Sequence, residues 1–205
     1  MRDALADEGE RERRLAALER EHAAPLAAFV RMLRERYPER AIPHADPADG
    51  GVGARALLLL EAPGPQSVAT GFVSRDSPNA TARNLRALLR ESGITRRSVL
   101  LWNVVPWYVG DGRRIRPVNR ADTREASGAL RAFVDLLPRL ERIVLIGRKA
   151  QAAEPLLREH RPALPVMSTW HPSPQVFNIS PVKKREAQAA FMALGRALGE
   201  GDDVA

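Results

Sequence analysis

Four short apolar runs set the pattern of the chain: ALLLL at 56–60, SVLLWNVV at 98–105, RIVLIG at 142–147 and PVMST at 165–169. Each is nearly continuous rather than alternating, as expected of strands buried on both faces. Helical patterns lie between them. The segment 77–93 predicts a helix with Ser77 as N-cap, Pro78 in the first turn and Gly93 as the stop. Segment 122–138 opens with Asp122 and Glu125 at capping-box spacing. A helix is expected over 148–160, and a last one over about 183–198. Ahead of the first strand, Leu15, Leu18, Leu26, Phe29, Val30 and Leu33 recur near helical spacing. They predict one or two amphipathic helices, with Pro25 at a break or fresh start. Residues 42–53 read as a loop, from their Pro, Asp and Gly content.

Strand–helix alternation predicts an α/β fold, a three-layer α/β/α sandwich around a central, mainly four-stranded parallel sheet. The expected organisation is an N-terminal helical arm (1–50) packed on an α/β/α domain (51–198), with a flexible tail (199–205). In open sheets of this kind ligands sit outside the carboxyl ends of the strands. Glu61-Ala62-Pro63-Gly64-Pro65-Gln66 follows the first strand, and Asn103 lies at the end of the second. Gly147-Arg148-Lys149 follows the third, and Trp170-His171-Pro172-Ser173-Pro174 the fourth. The unusual polar, Pro and Gly residues therefore collect at one rim.

Composition narrows the chemistry. The 205 residues suit one domain with a short arm, and the absence of cysteine excludes disulfides, thiolate metal sites and a cysteine nucleophile. No apolar run is long enough to cross a bilayer, and the charged N-terminus lacks the features of a signal or transit peptide. A cytoplasmic, membrane-free protein is expected. The net charge of +7 is uneven: residues 1–50 hold 9 Arg against 11 acidic residues, a net of −2, leaving +9 on the remainder. A basic, Arg-rich body either favours a polyanionic partner or reflects codon usage. No GxGxxG, GxxxxGK[ST] or GxSxG motif follows a strand, and no histidine cluster has metal spacing.

Within the rim, Glu61 is either a solvated turn residue or a carboxylate at a site whose Gly64 admits close approach. Two prolines fix the backbone around His171 and Ser173, so the imidazole is either a structural histidine or a donor held in place for electrostatic catalysis. Ser173 offers its hydroxyl and N–H to a phosphate. Asn103 interrupts an apolar strand, where a buried carboxamide must either brace a loop or read a ligand. Phe72, in TGFVSRD, either stacks on a base or tucks into the core.

Taken in order, LEAPG (60–64), Asn103 in LWNVVPW, and HPSP (171–174) resemble the motifs of the uracil-DNA glycosylase superfamily, over about residues 54–196. EAPG with RPVNR (116–120) is similar to the iron–sulfur branch, whereas PGPQSVATG and HPSP are similar to the single-strand-selective branch. Without cysteines the cluster of the former is not expected, and no metal or other cofactor is required. The resemblance implies a monofunctional hydrolase that cleaves the N-glycosidic bond of uracil, or a related deaminated base, in DNA after flipping it from the stack.

By the same resemblance, Phe72 would stack on the base and Asn103 would read its O4 and N3 edge. His171 would bond O2 and stabilise the departing anion. Ala62, Pro63, Gly64 and Gln66 would line the base site, with Glu61 or a water held by Gln66 replacing a water-orienting aspartate that is here Ala62. Pro172, Ser173 and Pro174 would pinch the DNA backbone, helped by Arg113, Arg114 and Arg116, with Lys183, Lys184 and Arg185 as further contacts. Arg116 stands where a cross-linking relative carries a histidine, so covalent trapping is not expected. A monomer is expected. The alternative is a DNA-binding protein that keeps the fold with weak or no glycosylase activity, motivated by Ala62.

Overall fold

The computed structural model describes residues 3–110 and 116–200. Near the N-terminus lie α1 (Glu8–Ala16) and α2 (Ala24–Arg36), and Pro25 sits in the first turn of α2, where its missing N–H costs nothing. A short strand β1 (His44–Ala45) precedes β2 (Ala56–Leu60), α3 (Pro65–Thr70), β3 (Phe72–Val73), α4 (Ala80–Glu91) and β4 (Val99–Asn103). Then come α5 (Arg120–Asp135), β5 (Arg142–Ile146), α6 (Arg148–Gln151), α7 (Glu154–His160), β6 (Val166–Thr169), α8 (Pro174–Ile179) and α9 (Pro181–Ala197). None of the described helices is long and apolar enough to cross a membrane.

The four apolar runs form one parallel sheet in the order β4-β2-β5-β6. Strand β4 and nearly all of β2 and β5 are buried because helices cover both faces, giving the three-layer α/β/α architecture, whereas β6, at the sheet edge, is only partly buried, with Ser168 exposed. On one face Phe133 of α5 stacks on Trp102 of β4, with ring centroids 4.5 Å apart, and meets Phe29 of α2 edge-on at 5.6 Å. The α4–α9 pair forms a second packed group of helices. The chain leaves β2 towards β4 but leaves β5 towards β6, so the connections diverge between β2 and β5, and a crevice is expected at their carboxyl ends.

Several local expectations are corrected. The 42–53 loop contains β1, which pairs in parallel with β3 in a separate two-stranded sheet. Helix α4 is capped by Asn79, whose side chain accepts from Ala82 N–H at 2.9 Å; Ser77 is not its cap. The capping box of α5 is Asn119 with Asp122, one turn earlier than Asp122 with Glu125, because Asn119 offers the same spacing and its carboxamide oxygen takes both free N–H groups. The 148–160 segment is two helices, with Pro155 restarting the second.

Helix α1 is tied to the rest of the fold through a cluster of buried ion pairs. Arg14 contacts Asp46 at 2.5 Å and Asp76 at 2.9 Å, while Arg96 reaches Asp46 (2.8 Å), Asp49 (2.9 Å) and Asp76 (2.5 Å). The Asp46 carboxylate also accepts from the Ser74 hydroxyl. Part of the charge asymmetry along the chain is thus neutralised inside the fold. Removing one member would leave an unpaired buried charge, at about 3–5 kcal/mol.

Candidate active site

Register brings the rim residues together. Leu60 pairs with Asn103, Leu59 with Leu145, and Ile146 with Thr169. Asn103, Leu60, Ile146 and Thr169 therefore stand in one row, with Glu61 and Gly147 one step beyond and His171 just past them. Glu61, Asn103 and His171 all line one cavity of about 670 Å³. Ala62, Pro63, Gly64, Gln66 and Arg116 line it as well. A volume of that size suits a nucleoside-sized ligand.

Glu61 is half-buried, and its Oε1 accepts the backbone N–H of Val118 at 2.9 Å. The carbonyl of Val118 accepts from Lys149 Nζ at 3.2 Å, so the segment leading into α5 is gripped from both sides. Asn103 is 2% exposed, and its Nδ2 has no hydrogen-bond partner. An unpaired buried amide is costly, and the group that would satisfy Nδ2 is an acceptor such as a carbonyl oxygen.

His171 sits directly over Gly147. A Cβ at residue 147 would lie 2.9 Å from His171 Cβ, and Gly147 has φ +88°, so glycine is required there twice over. Burial lowers the His171 pKa, which keeps the imidazole neutral at neutral pH with one N–H to donate. The loop is braced from α4, where Asn84 Nδ2 donates to the Pro172 carbonyl at 2.8 Å. Ser173 caps α8, accepting Val176 N–H at 3.4 Å.

The stacking role of Phe72 is corrected. Phe72 is fully buried in β3, clustered with Leu5, Leu18 and Ala27, and does not line the cavity. Side chains alternate along a strand, so Val73 points the other way and lines the cavity, as does Ser74 just beyond the strand. Pro172, Ser173 and Pro174 lie beside the cavity rather than in its lining. Arg116 is paired bidentately with Asp122 at 2.6 and 2.7 Å, which holds that carboxyl below its ordinary pKa. Arg113 and Arg114, with the tail from 201 on, lie outside the described residues.

In the sequence Lys149 stands out only as part of a strand-end tripeptide, yet it lines the main cavity and two neighbours. One, of about 400 Å³, shares His171 with the main cavity and is lined also by Trp170, Arg148 and Lys183. Lys183 Nζ stands 4.6 Å from the Trp170 ring centroid. The other is an open groove of about 800 Å³ carrying Arg120 and Arg124. No group of three or more metal-ligating side chains occurs among the described residues.

Residues 47–194 match the family model of the Uracil DNA glycosylase superfamily. The chain belongs to the uracil-DNA glycosylase superfamily. Among solved structures similar to this superfamily member is the crystal structure of wild-type SMUG2 from Pedobacter heparinus, at 13% identity and a TM-score of 0.54, covering 72% of this chain and 76% of that one. That likeness is one of fold. A solution NMR structure from Methanosarcina acetivorans, described as a candidate uracil DNA glycosylase, has 19% identity and a TM-score of 0.47, covering 70% of this chain and 94% of that one. No curated protein matches the chain.

Proposed function

We propose that this superfamily member is a monofunctional DNA glycosylase that hydrolyses the N-glycosidic bond of uracil, or a related deaminated base, flipped from the helix. The observation that carries the reading is the unpaired Nδ2 of Asn103 in the wall of a cavity shared with Glu61 and His171. A buried donor there donates to the O4 of uracil and is opposed by the N4 amino group of cytosine. As the C1′–N1 bond breaks, its electron pair leaves on the base, and the neutral His171 N–H stabilises the anion at O2. The sugar becomes cationic, and the Glu61 carboxylate, anchored on Val118, stabilises it electrostatically. The oxygen of water then bonds to C1′ and its proton is released. Ala62 offers no polar group, so water is oriented by Glu61 or by Gln66.

The cations around the cavity support DNA as the partner. Lys149, Arg120 and Arg124 line the groove beside it, and Ser173, while accepting Val176 N–H, keeps its hydroxyl hydrogen for a phosphate.

Labelled oligonucleotides bearing uracil, hypoxanthine or xanthine, paired and single-stranded, provide the test. Incubation followed by alkali should give strand scission at uracil, and His171→Ala should slow it about 100- to 1,000-fold. Salt-sensitive binding to uracil-containing DNA with no abasic product from any base would replace this reading with that of a DNA-binding protein.

A further inference from the structure

Ser77 has a hydroxyl that the fold does not use. Asn79 caps α4 in its place. The Ser77 backbone is satisfied, its N–H donating to Ser74 O at 3.4 Å and its carbonyl accepting Asn79 N–H at 2.8 Å. The residue is 1% exposed, and its Oγ has no hydrogen-bond partner. Four other buried side-chain atoms among the described residues share that condition: His44 Nδ1, Asn103 Nδ2, Trp107 Nε1 and Thr169 Oγ1. Of the five residues, Ser77 and Asn103 are the two that line the main cavity. A buried polar group without a partner is destabilising, and its retention in a cavity wall points to a ligand that completes it. The first turn of α4 lines the same cavity through Thr81 and Ala82, and a helix N-terminus favours electronegative atoms nearby. The missing partner is therefore an acceptor.

We propose that Ser77 donates its hydroxyl hydrogen to a carbonyl oxygen of the extruded base, making Ser77 a second reader of the base beside Asn103 and a stabiliser of the charge that gathers on the base as it leaves. The ligand class is a nucleobase with carbonyl oxygens on its exposed edge, as deamination produces. This assignment rests on the glycosylase reading above.

The test is single-turnover release of uracil and of 5-fluorouracil from DNA by wild type, Ser77→Ala and Ser77→Cys, with thermal unfolding of each. Fluorine makes the departing anion more stable, so it depends less on the protein. Ser77→Ala should release uracil about tenfold more slowly, with a smaller deficit for 5-fluorouracil. Its melting temperature should be unchanged or higher, because an unpaired buried hydroxyl has been removed. Ser77→Cys nearly conserves volume and hydrogen-bonds weakly, so it should show the same pattern even where the alanine variant fails to fold. Release of uracil at the wild-type rate by the variants overturns the assignment. So does an equal loss for both bases accompanied by a lower melting temperature. Wild type that releases neither of these bases, nor hypoxanthine or xanthine, refutes the glycosylase reading and this assignment together, whereas an active wild type beside equally active variants refutes the assignment alone.

Discussion

Replacing Gly147 by alanine tests whether the close approach of β5 to the HPSP loop sets the position of the imidazole. Two costs can be worked out. Gly147 has φ +88° and ψ 154°, a conformation nearly exclusive to glycine, and forcing alanine into it costs about 1–3 kcal/mol. The new methyl would also stand 2.9 Å from His171 Cβ and 3.4 Å from its Cδ2. Carbon atoms pack best at about 3.5–4.0 Å, so His171 must retreat by roughly 0.6–1.1 Å. The backbone cannot easily rotate away, because Gly147 N–H is bonded to Thr169 O at 2.8 Å. A displacement of that order at a catalytic donor costs up to about 100-fold in rate. Gly147→Ala should therefore release uracil about 10- to 100-fold more slowly under single-turnover conditions. It should also melt about 4–8 °C lower, taking 2 kcal/mol as the central strain. Gly53→Ala is the control, since its added methyl would meet nothing within 4 Å and its φ is not positive. A Gly147→Ala protein with the wild-type rate would refute the claim that this contact positions His171.

Two further outcomes are expected. Asn103→Asp should lower the ratio of uracil to cytosine excision at least about tenfold, because a carboxylate cannot donate to O4, and an unchanged ratio would remove Asn103 from base reading. His44 is held near pKa 4, chiefly by burial and then by Arg34 and Arg31, against 6.5 when exposed. The unfolded chain therefore takes up a proton that the folded one refuses, and stability is lost as pH falls from about 6.5 to 4, by about 3 kcal/mol from this group alone. Urea unfolding at pH 7.5 and 4.5 should show a smaller acid-induced loss in His44→Gln than in wild type, and equal losses would contradict the assignment.

The sequence by itself determined the layered fold, because runs such as ALLLL and RIVLIG, buried on both faces, can pair only into a sheet covered on two sides. It also placed Glu61, Asn103 and His171 at one rim, since residues that follow parallel strands must emerge at the same edge. Other features needed the packed molecule. Phe72 faces away from the cavity because a two-stranded ribbon, invisible in a loop-like composition, fixes which side its alternation presents. Ser77 and Asn79 are both good caps, and the first turn of α4 chose between them, leaving one hydroxyl without a partner. The grip of Glu61 and Lys149 on Val118, and the Arg14–Asp46–Arg96 network, join residues far apart in the chain. Local propensity carries no information about such pairs; only the shared burial of opposite charges and donors in the folded state decides them.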